Sequence, residues 1–177
     1  MAMYRYGERT PKVAEGACVS DSALVIGDMQ IADDGYTGHG VVLRGDYGTI
    51  HLGPGTAVEE NAVVHIGPGS ISKIGARVTI GHGATVHARR IDNFALIGMG
   101  AVVIFDAEIG EWAVVAQGYV VPNGMRIPAG ELVVGVPATI VGDVSEKSKH
   151  YWRYGKQLYV DLAHEYPHTL EKIGEWC

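Results

Sequence analysis

Three histidines in the middle of the chain are the residues best suited to chemistry. His65, His82 and His87 lie within 23 residues of one another. Imidazole is the commonest metal ligand in proteins, and three imidazoles that leave a fourth position open form the ligand set of a catalytic zinc site. The chain can build such a site only if its fold brings these rings together.

A six-residue repeat runs through most of the chain. From Ile91 to Val133 every sixth residue is β-branched and aliphatic, and with short interruptions the same phase extends back to Val19. The repeat residues of the unbroken run are Ile91, Ile97, Val103, Ile109, Val115, Val121, Ile127 and Val133. A period of six fits neither a helix nor simple strand alternation. It is typical of a parallel β-helix, in which three hexads make one triangular coil.

The predicted fold is therefore an all-β solenoid of hexapeptide repeats with a C-terminal α-helix. The β-helix domain is expected over residues 1–142, with between six and seven coils over residues 19–138, and residues 143–177 form a helical tail packed on it. The repeat residue points into the prism, small residues four positions later fill the corners, and glycine relieves the turns. The intervals 43–52 and 64–74 exceed one hexad by three and four residues, so each contains a short loop.

The repeat also predicts where the histidines lie. His65 and His87 take the second position of hexads that are three repeats apart, so they stack on one face about one strand spacing (~4.8 Å) apart. Arg44 takes the same position one coil earlier. His82 is third in its hexad and belongs to the neighbouring face. A threefold homotrimer would bring His82 of another chain to the His65–His87 pair.

The tail has a helical pattern. Ser145 is a plausible N-cap, and an apolar stripe is expected to face the prism or a neighbouring subunit. The stripe consists of Tyr151, Tyr154, Leu158 and Leu162. Pro167 is expected to end the helix, with a second short helix to Ile173. The HExxH pattern from His164 to His168 would then be broken by this proline, which argues against a zinc-protease site.

Composition excludes several other classes. The 177 residues suit one domain, and 25 glycines are about twice the usual ~7 % share. The net charge of −6 argues against nucleic-acid binding. No segment has the ~20 apolar residues of a membrane helix, and the polar N-terminus does not look like a signal peptide, so a cytoplasmic protein is expected. Cys18 and Cys177 do not suggest a disulfide framework.

Five segments resemble the γ-class carbonic anhydrases and their hexapeptide-repeat relatives. They are VVLRGDYGTIHLG (41–53), AVVHIG (62–67), IGHGATVHA (80–88), LIGMGAVV (96–103) and VGVPATIV (134–141). The resemblance implies a left-handed β-helix and a homotrimer with metal sites at the subunit interfaces. His65 and His87 would come from one chain and His82 from the next.

The resemblance also implies roles for other residues. Arg44 and Asp46 match the family's RGD segment, whose arginine and aspartate form an inter-subunit ion pair beside the metal. Tyr159 resembles a tail tyrosine that reaches the metal pocket, although packing would also explain it. The family places glutamine six residues before the first ligand to orient the water and bicarbonate, whereas this chain has Glu59. That carboxylate could act as general base or proton carrier, repel bicarbonate, or bind the metal. The loop 67–73 also lacks the glutamate proton shuttle of the best-studied family enzyme.

Three functions follow from these residues. The first is a carbonic anhydrase-type lyase that hydrates CO2 reversibly to bicarbonate, with Zn2+ as the default metal and Fe2+ or Co2+ as possibilities because imidazole suits all three. The second is an acyl-CoA thioesterase or acyltransferase, although the chain has no obvious CoA-binding extension. The third is a non-catalytic trimer that binds a metal.

Overall fold

A computed structural model describes residues 2–174, and Cys177 lies outside this range. Within it, twenty short strands precede one helix. The strands are β1 (Ala2–Tyr4), β2 (Lys12–Val13), β3 (Cys18–Val19), β4 (Leu24–Ile31), β5 (Tyr36–Thr37), β6 (Val42–Leu52), β7 (Ala57–Val58), β8 (Val63–His65), β9 (Ile71–Ile74), β10 (Thr79–Ile80), β11 (Thr85–Val86), β12 (Arg90–Ile91), β13 (Leu96–Ile97), β14 (Val102–Val103), β15 (Glu108–Ile109), β16 (Val114–Val115), β17 (Val120–Val121), β18 (Arg126–Ile127), β19 (Glu131–Gly135) and β20 (Ala138–Asp143). The helix is α1 (Glu146–Thr169).

The strands stack into three faces of a prism. Face 1 contains β8, β11, β14 and β17, face 2 contains β9, β12, β15 and β18, and face 3 contains β3, β5, β7, β10, β13, β16, β19 and β20. Strand β6 bends around the corner between faces 1 and 2, since its start pairs with β8 and its end with β9. Neighbouring strands are parallel except β19 and β20. The chain is therefore a left-handed parallel β-helix of about seven turns with a C-terminal helix, which confirms the predicted fold.

The six-residue pattern arises from packing inside the prism. Repeat residues from successive coils stack on one another, and those of the central coils are almost fully buried. The corner residues are Val78, Ala84, Ala95, Ala101, Ala107 and Ala113, all with 0 % exposure. Small side chains occupy the corners because two strands converge there and leave little volume.

One interruption of the repeat lies within β6. The pairing of β4 with β6 shifts by three residues, so residues 46–48 have no counterparts on β4. This three-residue excess agrees with the loop predicted in the interval 43–52. Gly27 lies opposite the shift with φ of 76°, and a Cβ there would be 2.3 Å from the Gly45 carbonyl oxygen. Only glycine permits this close approach.

Helix α1 lies along face 3. Ser145 caps its N-terminus, and the Ser145 hydroxyl accepts a hydrogen bond from the Ser148 amide at 3.1 Å. The buried residues of α1 are Lys156, Val160 and Ala163. Tyr151, Tyr154 and Leu158 of the predicted apolar stripe do not pack on the prism, because they are exposed. That they face a neighbouring subunit stays a prediction. The packed face is rotated away from them. Within residues 2–174, no helix combines the length and apolar character needed to cross a membrane.

The prediction that Pro167 ends the helix was also wrong. Helix α1 continues through Pro167 to Thr169, and residues 170–174 are not helical, so the expected second short helix to Ile173 does not form. Proline removes one backbone donor, but only two further helical residues follow it. His164 and His168 therefore share one helix, so Pro167 does not break the HExxH pattern as expected. His164 instead pairs with Asp34 at 2.9 Å.

The stacked core should dominate stability. Replacing the fully buried Ile97 with alanine is expected to lower the free energy of unfolding by about 3 kcal/mol, because large-to-small core changes lose transfer energy and leave a cavity. Urea unfolding at fixed protein concentration measures the change. The matched control is Val141→Ala, at a position 55 % exposed, which should change stability little. Equal effects of the two substitutions would contradict the described core.

Candidate metal centre

The two histidines of face 1 stack as the repeat predicts. His65 ends β8, and the strand pairing of β8 with β11 places His87 one coil away. Their ring centroids are 5.3 Å apart with an interplanar angle of 81°. The strand pairing of β6 with β8 places Arg44 next to His65, on the side opposite His87. This row of Arg44, His65 and His87 at the end of face 1 is called the His-pair edge.

Two ring nitrogens of the His-pair edge are buried and make no hydrogen bond of good geometry among the described residues, although an Asp46 carboxylate oxygen lies 3.3 Å from the first of them. They are His65 Nε2 and His87 Nδ1. Burial lowers the pKa of both imidazoles, and the charge of Arg44 adds to this. The rings are therefore neutral near pH 7, the form that coordinates metals. Buried nitrogens without partners are costly, so a cation suits this edge.

Asp46 lies beside the His-pair edge on the three-residue excess of β6. Its Oδ2 is 2.9 Å from Arg44 Nε, and its Oδ1 is 3.3 Å from His65 Nε2. Burial would raise the pKa of Asp46, but Arg44 and His65 outweigh it and lower the pKa. The Arg9 guanidinium also donates to the Asp46 carbonyl oxygen. Arg44 and Asp46 thus form a pair within one chain.

The remaining predicted site residues gather on a different corner, where face 3 turns into face 1. Glu59 is 6 % exposed, and its Oε2 accepts a hydrogen bond from the His82 amide at 3.1 Å. The same oxygen is 3.1 Å from His82 Nε2. Tyr159 reaches from α1 and hydrogen-bonds Glu59. This group of Glu59, His82 and Tyr159 is called the carboxylate edge.

Two residues of this corner were not anticipated from the sequence. Glu60 Oε2 is 2.8 Å from His82 Nδ1, so His82 lies between two carboxylates. Tyr36 donates to Glu60 Oε1 at 2.7 Å. Burial would raise the pKa of Glu60, but the hydrogen bonds from Tyr36 and His82 outweigh it and lower the pKa. The sequence feature that could have revealed this cluster is the pair of adjacent acids Glu59-Glu60, which precedes a turn of the repeat.

Lys156 was also missed. It lies on the packed face of α1 with 3 % exposure, and its Nζ donates to Thr79 Oγ1 and the Ala95 carbonyl oxygen, both at 3.0 Å. Burial lowers the pKa of Lys156 to about 7, although the charge of Glu59 works in the opposite direction. A lysine three residues before Tyr159 shares its helix face, and this spacing was the signal that could have revealed it.

This lysine should make stability depend on pH. Between about pH 7 and 10 the unfolded chain holds the Lys156 proton while the folded chain has released it, so the free energy of unfolding should rise with pH. The slope approaches roughly 1.4 kcal/mol per pH unit. Lys156→Met should flatten the urea-unfolding profile over that range, while Lys149→Met, at a surface pair with Glu146, should not. Equal slopes in all three proteins would contradict the described burial.

The two edges do not complete a metal site in one chain. Among residues 2–174, no three His, Cys, Asp or Glu side chains are grouped closely enough to hold a metal ion. His65 and His87 supply two neutral nitrogens, and His82 lies across face 1 with its own carboxylate partners. A site with three histidines therefore requires a second copy of the chain.

Two known proteins that are similar in sequence show which family the chain belongs to. No protein-family model matches the chain. It is 34 % identical over 163 residues to the carnitine operon protein CaiE of Escherichia coli, covering 92 % of this chain and 83 % of that protein. It is 35 % identical over 162 residues to a mitochondrial gamma carbonic anhydrase 2 of Arabidopsis thaliana, covering 88 % of this chain and 58 % of that longer protein. The chain belongs to the γ-carbonic anhydrase-like hexapeptide-repeat family.

Solved structures agree on the fold of this γ-carbonic anhydrase-like chain. A hexapeptide transferase family protein of Anaplasma phagocytophilum aligns with a TM-score of 0.88 and 32 % identity, covering 93 % of this chain and 98 % of that one. A putative acetyltransferase of Bacillus cereus aligns with a TM-score of 0.91 and 29 % identity, covering 93 % and 96 %. These relatives fit a hexapeptide-repeat enzyme, either carbonic anhydrase-like or acyltransferase-like.

Proposed function

We propose that the protein is a metal-dependent lyase that hydrates CO2 reversibly to bicarbonate. The observation that carries the proposal is the stacked pair of buried, neutral histidines. His87 Nδ1 has no hydrogen-bond partner among the described residues, and His65 Nε2 has only the Asp46 carboxylate, at 3.3 Å. The similarity to a gamma carbonic anhydrase supports the same chemistry.

The metal site is proposed to be shared within a homotrimer. His65 and His87 of one chain face His82 of the partner subunit, which brings the carboxylate edge of the second chain against the His-pair edge of the first. Each threefold interface then has three imidazoles with an open position, the pattern of catalytic zinc. Zn2+ is the proposed ion, and Fe2+ or Co2+ would also suit imidazole ligands.

The residues around this site have separate roles in the proposed reaction. A divalent ion held by His65, His87 and His82 of the partner subunit would supply hydroxide near neutral pH, because such ions lower the pKa of bound water. Glu59 accepts the proton that this ionisation releases, since its carboxylate adjoins His82 and is aimed by the His82 amide and the Tyr159 hydroxyl. Arg44 and Asp46 hold the His-pair edge in place through their ion pair.

A CO2 hydration assay tests this function. Stopped-flow pH-indicator measurements on protein loaded separately with Zn2+, Co2+ and Fe2+ should show turnover well above buffer for at least one metal. His87→Ala protein treated in the same way is the control, because it lacks one proposed ligand. If no metal form exceeds the metal-free protein, the proposal is wrong.

Acyl transfer or thioester hydrolysis is the second candidate. The structures described as a hexapeptide transferase family protein and a putative acetyltransferase favour it, since each covers nearly all of this chain. The same preparations should be given acetyl-CoA with a thiol reagent that detects free CoA. Turnover of acetyl-CoA without CO2 hydration would replace the first candidate with the second.

A further inference from the structure

A cavity of about 190 Å³ lies between α1 and face 3, beside the carboxylate edge. Leu96, Met99 and Trp152 form apolar parts of its wall, and Lys156 and Gln117 contribute polar groups. CO2 has only three heavy atoms and needs far less room. The combination of apolar walls with a few polar groups is typical of small-molecule sites.

Gly155 keeps this cavity open. It lies in the middle of α1, where glycine is disfavoured relative to alanine, and it lines the cavity. A Cβ at this position would meet no atom within 4 Å, so packing within the chain does not require glycine. Glycine at this position leaves this part of the cavity wall without a side chain.

Lys156 gives the cavity a specific chemistry. Its ammonium group donates to two neutral oxygens, those of Thr79 and Ala95, which leaves a third N–H. Among the described residues, no carboxylate oxygen lies within salt-bridge distance of Lys156 Nζ, so this side chain has no direct counter-ion when it is protonated. Buried charges are normally paired, and an anion that enters the cavity would supply the missing partner.

The other titratable groups that line the cavity do not fill this role. Glu59, His82 and Tyr159 all border it. Glu59 directs its carboxylate to His82 and Tyr159, and its charge reaches Lys156 only through space. The Glu59 carboxylate repels any anion that binds Lys156. We therefore expect the ligand to carry a single negative charge.

We propose that the cavity beneath α1 binds a short-chain aliphatic monocarboxylate, with the carboxylate on Lys156 Nζ and the tail against Leu96, Met99 and Trp152. Apolar walls favour a tail of a few carbons over bicarbonate or acetate. The cavity borders His82, one of the proposed metal ligands, but its anchor Lys156 is not a ligand, so the proposal stands whether or not CO2 is hydrated.

Calorimetric titration of the full-length protein with butyrate at pH 8 tests the proposal. Binding to an ammonium group should draw a proton onto Lys156, so the heat should differ between two buffers of different ionisation enthalpy. Lys156→Met should weaken binding at least tenfold and remove the buffer dependence, whereas the control Lys149→Met should retain both. Butyrate should bind about fifteenfold more tightly than acetate, because it has two more methylenes and each buried methylene adds roughly fourfold in affinity.

Two further variants separate the possible outcomes. Gly155→Leu should abolish butyrate binding while keeping the helix, since leucine is a strong helix former that fills the cavity. His87→Ala, which disrupts the proposed metal site, should bind butyrate like the wild type. The proposal would be overturned by any of three results. Butyrate could still bind after both Lys156→Met and Gly155→Leu, butyrate binding could depend on His87, or bicarbonate could bind as tightly as butyrate.

Discussion

Replacing His82 with alanine is expected to reduce bound zinc from about one ion per chain to less than a tenth of that. The reason is that the proposed site has three imidazole ligands, and the two that remain on the His-pair edge hold a metal weakly. Plasma mass spectrometry of protein dialysed against micromolar zinc measures the metal content.

His39→Ala is the matched control for this loss. His39 is half-exposed and its ring nitrogen lies 2.9 Å from the Ser22 hydroxyl, away from both edges. The control should keep its zinc. A His82→Ala protein that retains the zinc content of the wild type would show that His82 is not a ligand.

Replacing Glu59 with glutamine is expected to lower the rate of CO2 hydration about a hundredfold, the lower end of the range for general acid–base groups. Glutamine preserves the size of the side chain and can accept the His82 amide hydrogen bond, but it cannot take up a proton. Stopped-flow hydration at pH 7.5 on zinc-loaded protein measures the rate.

Glu60→Gln is the control for Glu59→Gln, because both acids adjoin His82 but Glu60 is held by Tyr36. It should change the rate far less. The γ-class pattern has glutamine at the position of Glu59, so the opposite result is meaningful. A faster Glu59→Gln enzyme would show that the carboxylate hinders the reaction rather than carries its proton.

The solenoid made much of this arrangement predictable. Once Ile91 to Val133 established the period of six, any two residues three hexads apart had to lie in adjacent coils, since parallel strands repeat the same spacing. His65 and His87 follow from that rule, and so does the placement of His82 on another corner. The three-residue excess at positions 46–48 follows from the interval between repeat residues.

The helix was harder to predict for a physical reason. An apolar stripe shows that a helix is amphipathic, but the side that packs depends on the partner surface. Tyr151 and Tyr154 fit the stripe and are exposed, while Lys156 is buried because Thr79 and Ala95 offer oxygens to its ammonium group. A lysine is rarely buried, so its residue type did not lead us to expect it on the packed face.

Mixed trimers test the shared metal site most directly. Co-expression of differently tagged His65→Ala and His82→Ala chains, followed by two-step purification, isolates trimers that contain both. Each variant alone lacks one ligand at every interface, but a mixed ring has one interface at which intact His65 and His87 face intact His82 of the partner subunit. We expect about one zinc per mixed trimer and almost none in the trimers of either variant alone. Mixed trimers with no more zinc than the parents would contradict it.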